Sequence, residues 1–121
     1  MPSAGYHEAE DQLPERVKDH HRAVISLMEE LEAIDWYDQR VAATADTELA
    51  AVLAHNRDEE KEHAAMTLEW LRRRDGRLDE MLRTYLFTEG SILEIEKAGE
   101  PAVPPVADGS LGIGSLKGIQ S

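Results

Sequence analysis

Three residues stand out by type and spacing. Glu60 and His63 stand three apart in the acidic run Asp58-Glu-Glu-Lys-Glu-His63. On a helix that spacing places both side chains on one face, a turn apart. Glu-x-x-His is the step at which di-iron carboxylate bundles present their ligands. The carboxylate supplies a hard oxygen that can bridge two metals, and the imidazole nitrogen suits iron. The third residue is Glu30. Positions 23, 27, 30, 34, 37 and 41 read Ala23, Leu27, Glu30, Ile34, Tyr37 and Val41, one helical stripe with a single acid in it. A carboxylate set in an apolar stripe is costly unless something neutralises it. The matching stripe around the histidine reads Leu49, Leu53, Asn56, Glu60, His63, Thr67 and Leu71. Glu-x-x-His by itself arises by chance in acid-rich helices; Glu30 on a second helix gives the pair its weight.

The surrounding residues carry weaker signals. Tyr37 falls two turns beyond Glu30 on the same stripe, placed either to hydrogen-bond a ligand or stand near the metals, or simply to pack, as Trp36 does. Glu29 and Glu32 fall on other faces, as a solvated surface or a weaker cation-attracting site. His20, His21 and His55 lack the Glu-x-x-His arrangement and read as surface or core histidines.

A complete di-iron bundle takes two lone glutamates and two Glu-x-x-His pairs from four helices. This chain has one of each, on two helices, so it carries half a site and half a bundle. A two-fold dimer repeats every residue across its axis and supplies the other half. Four carboxylates gathered there cannot all stay ionised without cations, and two Fe(II) ions match their charge. Iron binding is therefore expected to drive or tighten the dimer.

The elements that must position these residues are helices. Val17, Val24, Leu27, Leu31, Ile34 and Val41 recur at helical spacing, predicting a first helix from near Gln12 to about Val41–Ala43, with Pro14 in its first turn. Ala-Thr-Ala-Asp-Thr (43–47) breaks it, with Thr44 or Asp46 as the next N-cap. A second helix is expected from about Thr47 to Arg74, its apolar side marked by Leu49, Val52, Leu53, Met66, Trp70 and Leu71. Arg72-Arg73-Arg74 suits the negative end of that helix, and Gly76 is expected to end it. A short third helix is expected over about Leu78–Phe87, then a break at Gly90 and a turn over 91–97. The fold class is thus all-α: two long antiparallel helices and a short C-terminal one, dimerising into a four-helix bundle. Helices about 42 Å long, paired as a hairpin, leave a broad face of each uncovered, which again predicts oligomers.

Composition narrows the partners. The chain has 121 residues, with 25 Asp and Glu against 13 Lys and Arg, a net charge of -12. That balance argues against nucleic acid and against anionic lipid, and favours a cation. The absence of cysteine removes disulfides, zinc-thiolate sites, iron–sulfur clusters and thiol catalysis. The longest apolar run, Leu49 to Ala54, is too short to span a bilayer. The opening residues show no secretory pattern, so a cytosolic protein is expected. Beyond residue 98 proline and glycine replace charge, dividing a helical domain (1–98) from a linker and tail (99–121). Within that tail Leu111, Ile113 and Leu116 are spaced to fill pockets on another protein, and the glycines allow close backbone approach.

The runs Met28–Arg40, His55–Leu71 and Arg83–Gly90 closely resemble encapsulated ferritins, and Leu111-Gly-Ile-Gly-Ser-Leu-Lys-Gly118 resembles the encapsulin cargo-loading peptide. The resemblance implies a ferroxidase that oxidises Fe(II) to Fe(III), built as an annular decamer of five dimers without a storage cavity of its own. It implies an encapsulin shell in the prokaryotic cytoplasm that surrounds the protein and stores the mineral. It places Glu30, Glu60 and His63 as di-iron ligands, Tyr37 beside them, and Glu29 and Glu32 with adjacent Trp36 at a metal-entry site. It gives Leu111, Gly112, Ile113, Gly114, Ser115 and Leu116 to shell targeting. Two rival readings are a non-catalytic helical adaptor or cargo protein with solvated acidic faces, and another di-metal oxidase or peroxidase on the same site.

Overall fold

The computed structural model describes residues 5–99, and all regular structure among them is helical. A 3-10 turn, Glu10–Gln12, precedes α1 (Glu15–Ala43), α2 (Thr47–Arg74), α3 (Gly76–Tyr85) and α4 (Ile92–Gly99). The chain divides into two compact units, one ending at Glu80 and one beginning at Met81. The first is built on α1 packed against α2.

Each boundary has a local cause. α1 begins at Glu15, not near Gln12, because Pro14 is extended at ψ 156° and acts as N-cap. Leu13, before the proline, is likewise extended at ψ 124°, as the Pro ring requires. The hairpin connection is three residues. Thr44 Oγ1 accepts from the Asp46 N–H at 3.1 Å, and Asp46 Oδ1 accepts from the Leu49 N–H at 2.9 Å, so Asp46 is the N-cap of α2.

Gly76 does not end α2; it is the first residue of α3. Asp75 closes α2 with extended backbone, and its Oδ1 accepts from the Leu78 N–H at 2.9 Å. One aspartate ends one helix and caps the next, so the chain resumes a helix without a glycine in left-handed geometry. The joint is stapled by Arg72, which pairs with Glu69 at 2.7 Å and with Asp79 on α3.

The two long helices hold each other by a partial face. Val17, Val24, Leu27, Ile34, Val41, Leu53 and Trp70 are half-buried, and Leu71 (4% exposed) and Ala64 (8%) are the buried hydrophobic residues among those described. Leu31, Leu49, Val52 and Met66, of the same apolar pattern, stay about half exposed. Arg57 Nη1 reaches across the hairpin and donates to Asp38 Oδ1 at 3.0 Å.

In the second unit, Thr88 Oγ1 donates to the Tyr85 carbonyl at 2.7 Å. Phe87 and Gly90 take positive φ, 62° and 91°. Ser91 Oγ accepts from the Glu94 N–H at 3.3 Å and starts α4. The expected third helix and further turn are therefore two helices, α3 and α4.

Candidate metal centre

α1 places Glu30 in the half-buried stripe that the sequence predicts. Its Oε1 is enclosed and has no hydrogen-bond partner. The side chain lines an open cavity of about 450 Å³ with Ser26, Met66 and Thr67. Leaving a buried polar atom unpaired costs about 1–3 kcal/mol, and folded proteins keep few such atoms without a use for them.

α2 places Glu60 and His63 side by side. Glu60 Oε1 and His63 Nδ1 are 3.5 Å apart, with side chains 28% and 47% exposed. The Thr67 hydroxyl donates to the His63 carbonyl at 3.1 Å. A carboxylate oxygen and an imidazole nitrogen thus face one region, the donor set that divalent iron accepts.

One chain does not complete a site. Among the described residues no three His, Asp or Glu side chains come together to hold a metal ion. The donors therefore stand as a Glu60–His63 pair and a separate Glu30 carboxylate. A single chain thus carries half a site: the donors have the chemistry that iron accepts, and one of them is an enclosed oxygen without a partner.

The flanking residues differ in character. Tyr37 is half-buried, with the Arg40 guanidinium 5.7 Å from its ring centroid, an attractive cation–π contact. Trp36 is 47% exposed. Glu29 and Glu32 are exposed on α1. Leu111–Leu116, read as a targeting peptide, lie outside the described residues.

Some features escape a sequence reading. His55 Nε2 sits 3.3 Å from Glu59 on the exposed side of α2, a pair at the i,i+4 step rather than the i,i+3 step of Glu60 and His63. His21 packs on Tyr6 with ring centroids 4.9 Å apart, which ties the N-terminal segment to α1. The Arg57–Asp38 bridge joins residues 19 apart, and only the hairpin register could have revealed it.

The chain is similar to known proteins over most of its length. The EncFtn-like family model matches residues 5–89. The chain is 62% identical to the encapsulated ferritin-like protein of Rhodospirillum rubrum, over 93% of this chain and 87% of the relative. It is 36% identical to the encapsulin nanocompartment cargo protein EncC of Myxococcus xanthus, over 77% of this chain and 80% of the relative. Among solved structures, protein ne0167 of Nitrosomonas europaea superposes with a TM-score of 0.71 at 60% identity, covering 73% of this chain and 97% of that one. The family model covers most of the chain and the relatives match it over most of their own length, and the chain belongs to the EncFtn-like family.

Proposed function

We propose that this protein is a ferroxidase. Two copies of the hairpin form a four-helix bundle, and Glu30, Glu60 and His63 of each copy bind a pair of Fe(II) ions between them. The observation that carries the reading is the enclosed, unpaired Oε1 of Glu30, on the helix packed against the one that bears Glu60 and His63. A second copy and a cation would give that oxygen the partner a single chain withholds.

Iron is the substrate. Holding two Fe(II) ions close together lets each give up one electron, so that dioxygen or peroxide takes a pair from one site. Glu60 and Glu30 carry the charge that holds the ions, and His63 supplies the nitrogen donor. Tyr37 stands close by, and Glu29, Glu32 and Trp36 form the approach by which iron enters. The dimer is the block of an annular decamer, and Fe(III) passes to a surrounding shell. The family membership and the name of the Myxococcus relative support an encapsulin shell in the cytoplasm as that partner, with residues 111–116 as the docking peptide.

The test is anaerobic loading with Fe(II), then addition of oxygen, followed by absorbance of Fe(III). Glu60→Ala and His63→Ala are expected to lose most of the oxidation. Wild-type rates in both would refute the site, and a wild-type protein that neither binds nor oxidises iron would favour the adaptor. Deleting residues 111–118 is expected to abolish co-purification with a co-expressed encapsulin shell while leaving iron oxidation in place.

A further inference from the structure

A second cavity, of about 750 Å³, lies between the N-terminal end of α1 and the C-terminal end of α2. Val17 and Trp70 form part of its wall, and Arg16, His20 and Arg74 reach it. Its size falls within the range of small-molecule sites, about 300–1,000 Å³.

Its charge is unusual for this chain. The chain has a net charge of -12, and most of its arginines are paired with carboxylates. Arg22 takes Asp19 and Glu15, Arg57 takes Asp38 and Asp58, Arg72 and Arg73 share Glu69, and Arg77 takes Glu80. Arg40 and Arg74 lie over the rings of Tyr37 and Trp70, and Arg83 is engaged as well. Arg16 is the one arginine among the described residues with neither acid nor ring. His20, one turn further along α1, has no partner among them either. Of the two carboxylates on the cavity wall, Asp19 is paired with Arg22 at 2.6 Å, and Asp75, which keeps its charge, accepts from the Leu78 N–H through Oδ1 at 2.9 Å.

We infer that this cavity binds a small aromatic oxyanion, its head on the Arg16 guanidinium and His20 imidazole and its ring against Val17 and Trp70. The planar fork of a guanidinium matches phosphate or carboxylate with two parallel hydrogen bonds. Arg74, stacked 4.0 Å from the Trp70 ring centroid, adds positive charge to the same wall. A bare oxyanion would fill little of the space, and the indole gives an attached ring a flat apolar surface. The cavity adjoins the one that Glu30 lines, sharing Asp19 and Trp70 with it, but none of Glu30, Glu60 and His63 lines it.

Trp36 and Trp70 are the two tryptophans of the chain, so Trp36→Phe leaves Trp70 as the reporter. Iron-free, full-length Trp36→Phe protein is titrated with phenyl phosphate and with benzoate, and Trp70 emission is recorded. Inorganic phosphate and benzyl alcohol serve as head-only and ring-only probes. A saturable change is expected with phenyl phosphate or benzoate, and the tighter of the two identifies the head. Arg16→Gln is expected to weaken it at least tenfold, with partial rescue by Arg16→Lys. No saturable change with either compound, or the same affinity in Arg16→Gln, overturns the proposal. Inorganic phosphate binding as tightly as phenyl phosphate overturns the role of the ring.

Discussion

Glu30 should cost the metal-free protein stability. Its Oε1 is enclosed without a partner, while the residue as a whole remains partly accessible, so only part of the carboxylate loses its water. The cost then falls in the lower half of the range for an unsatisfied buried group, about 1–2 kcal/mol. Glu30→Met keeps the length of the side chain, removes the charge and fills the stripe with an apolar group. Metal-free Glu30→Met should therefore be more stable than wild type by about 1–2 kcal/mol, or about 4–8 °C in Tm for each kcal/mol in a domain of this size.

Iron should reverse the order. Binding to the folded state alone stabilises by about 2.7 kcal/mol at a free ligand concentration one hundred times Kd, and Glu30→Met forfeits most of that. Thermal unfolding of both proteins, followed by circular dichroism at one protein concentration, with chelator and then with anaerobic Fe(II), measures the crossing. A metal-free Glu30→Met that is less stable than wild type would show that Glu30 is satisfied in the native protein. Equal stabilisation of the two by Fe(II) would show that Glu30 is no ligand. Either result refutes the reasoning.

Three further outcomes test the framework. Asp46→Ala removes the acceptor of the Leu49 N–H and should cost about 1 kcal/mol in urea denaturation, with most of the loss restored by Asp46→Asn. Leu71, 4% exposed, should cost about 2–5 kcal/mol as Leu71→Ala, whereas Leu49→Ala, at a position 47% exposed, should cost far less in a dispersed single chain. The Glu69 carboxyl is held down to about 2 from an ordinary 4.5 by hydrogen bonds from Arg72 and then Arg73. A lowered folded-state pKa contributes stability at pH above 4.5 and loses it as pH falls towards 2, so Glu69→Gln should flatten the urea midpoint in that window and leave its pH dependence above 5 unchanged.

The long helices were legible because an apolar residue every three or four positions fixes a 3.6 period whatever packs on it, and Asp46 was legible because an aspartate three residues before a free N–H is a local cap. Gly76 misled: glycine after three arginines is an ordinary helix end, but the Asp75 side chain caps Leu78 and the helix resumes at once. Periodicity also could not divide one apolar side into covered and uncovered parts. Leu71 is buried and Leu53 and Trp70 half-buried, whereas Leu49, Val52 and Met66 stay about half exposed, because a stripe wider than one neighbour is shared between neighbours. Glu30 was legible as a misfit among apolar residues. The Arg57–Asp38 bridge and the Arg16 cavity depend on hairpin register and have no local signature.

The uncovered apolar residues and the unpaired carboxylate have a common origin. α1 and α2 are 29 and 28 residues long, yet each covers only one side of the other, and long helices gain most of their stability from the faces they bury. Met28, Leu31, Val52 and Met66 remain more than half exposed, and Glu30, which bears the enclosed oxygen, lines a cavity that Met66 also lines. A second copy covering that region would bury the apolar side chains, bring further donors to Glu30, and place four carboxylates together, a charge that two Fe(II) ions would neutralise. Burial then favours assembly while charge opposes it, and the opposition should end on iron binding or on loss of the charge. Because binding free energies are reciprocal, iron should tighten association of wild type by the factor with which association tightens iron. Glu30→Met should associate more tightly than wild type without iron and respond little to it. Mass photometry or sedimentation across a dilution series, with and without Fe(II), reads both effects, and a wild-type subunit distribution unmoved by iron would break the link between the exposed face and the site.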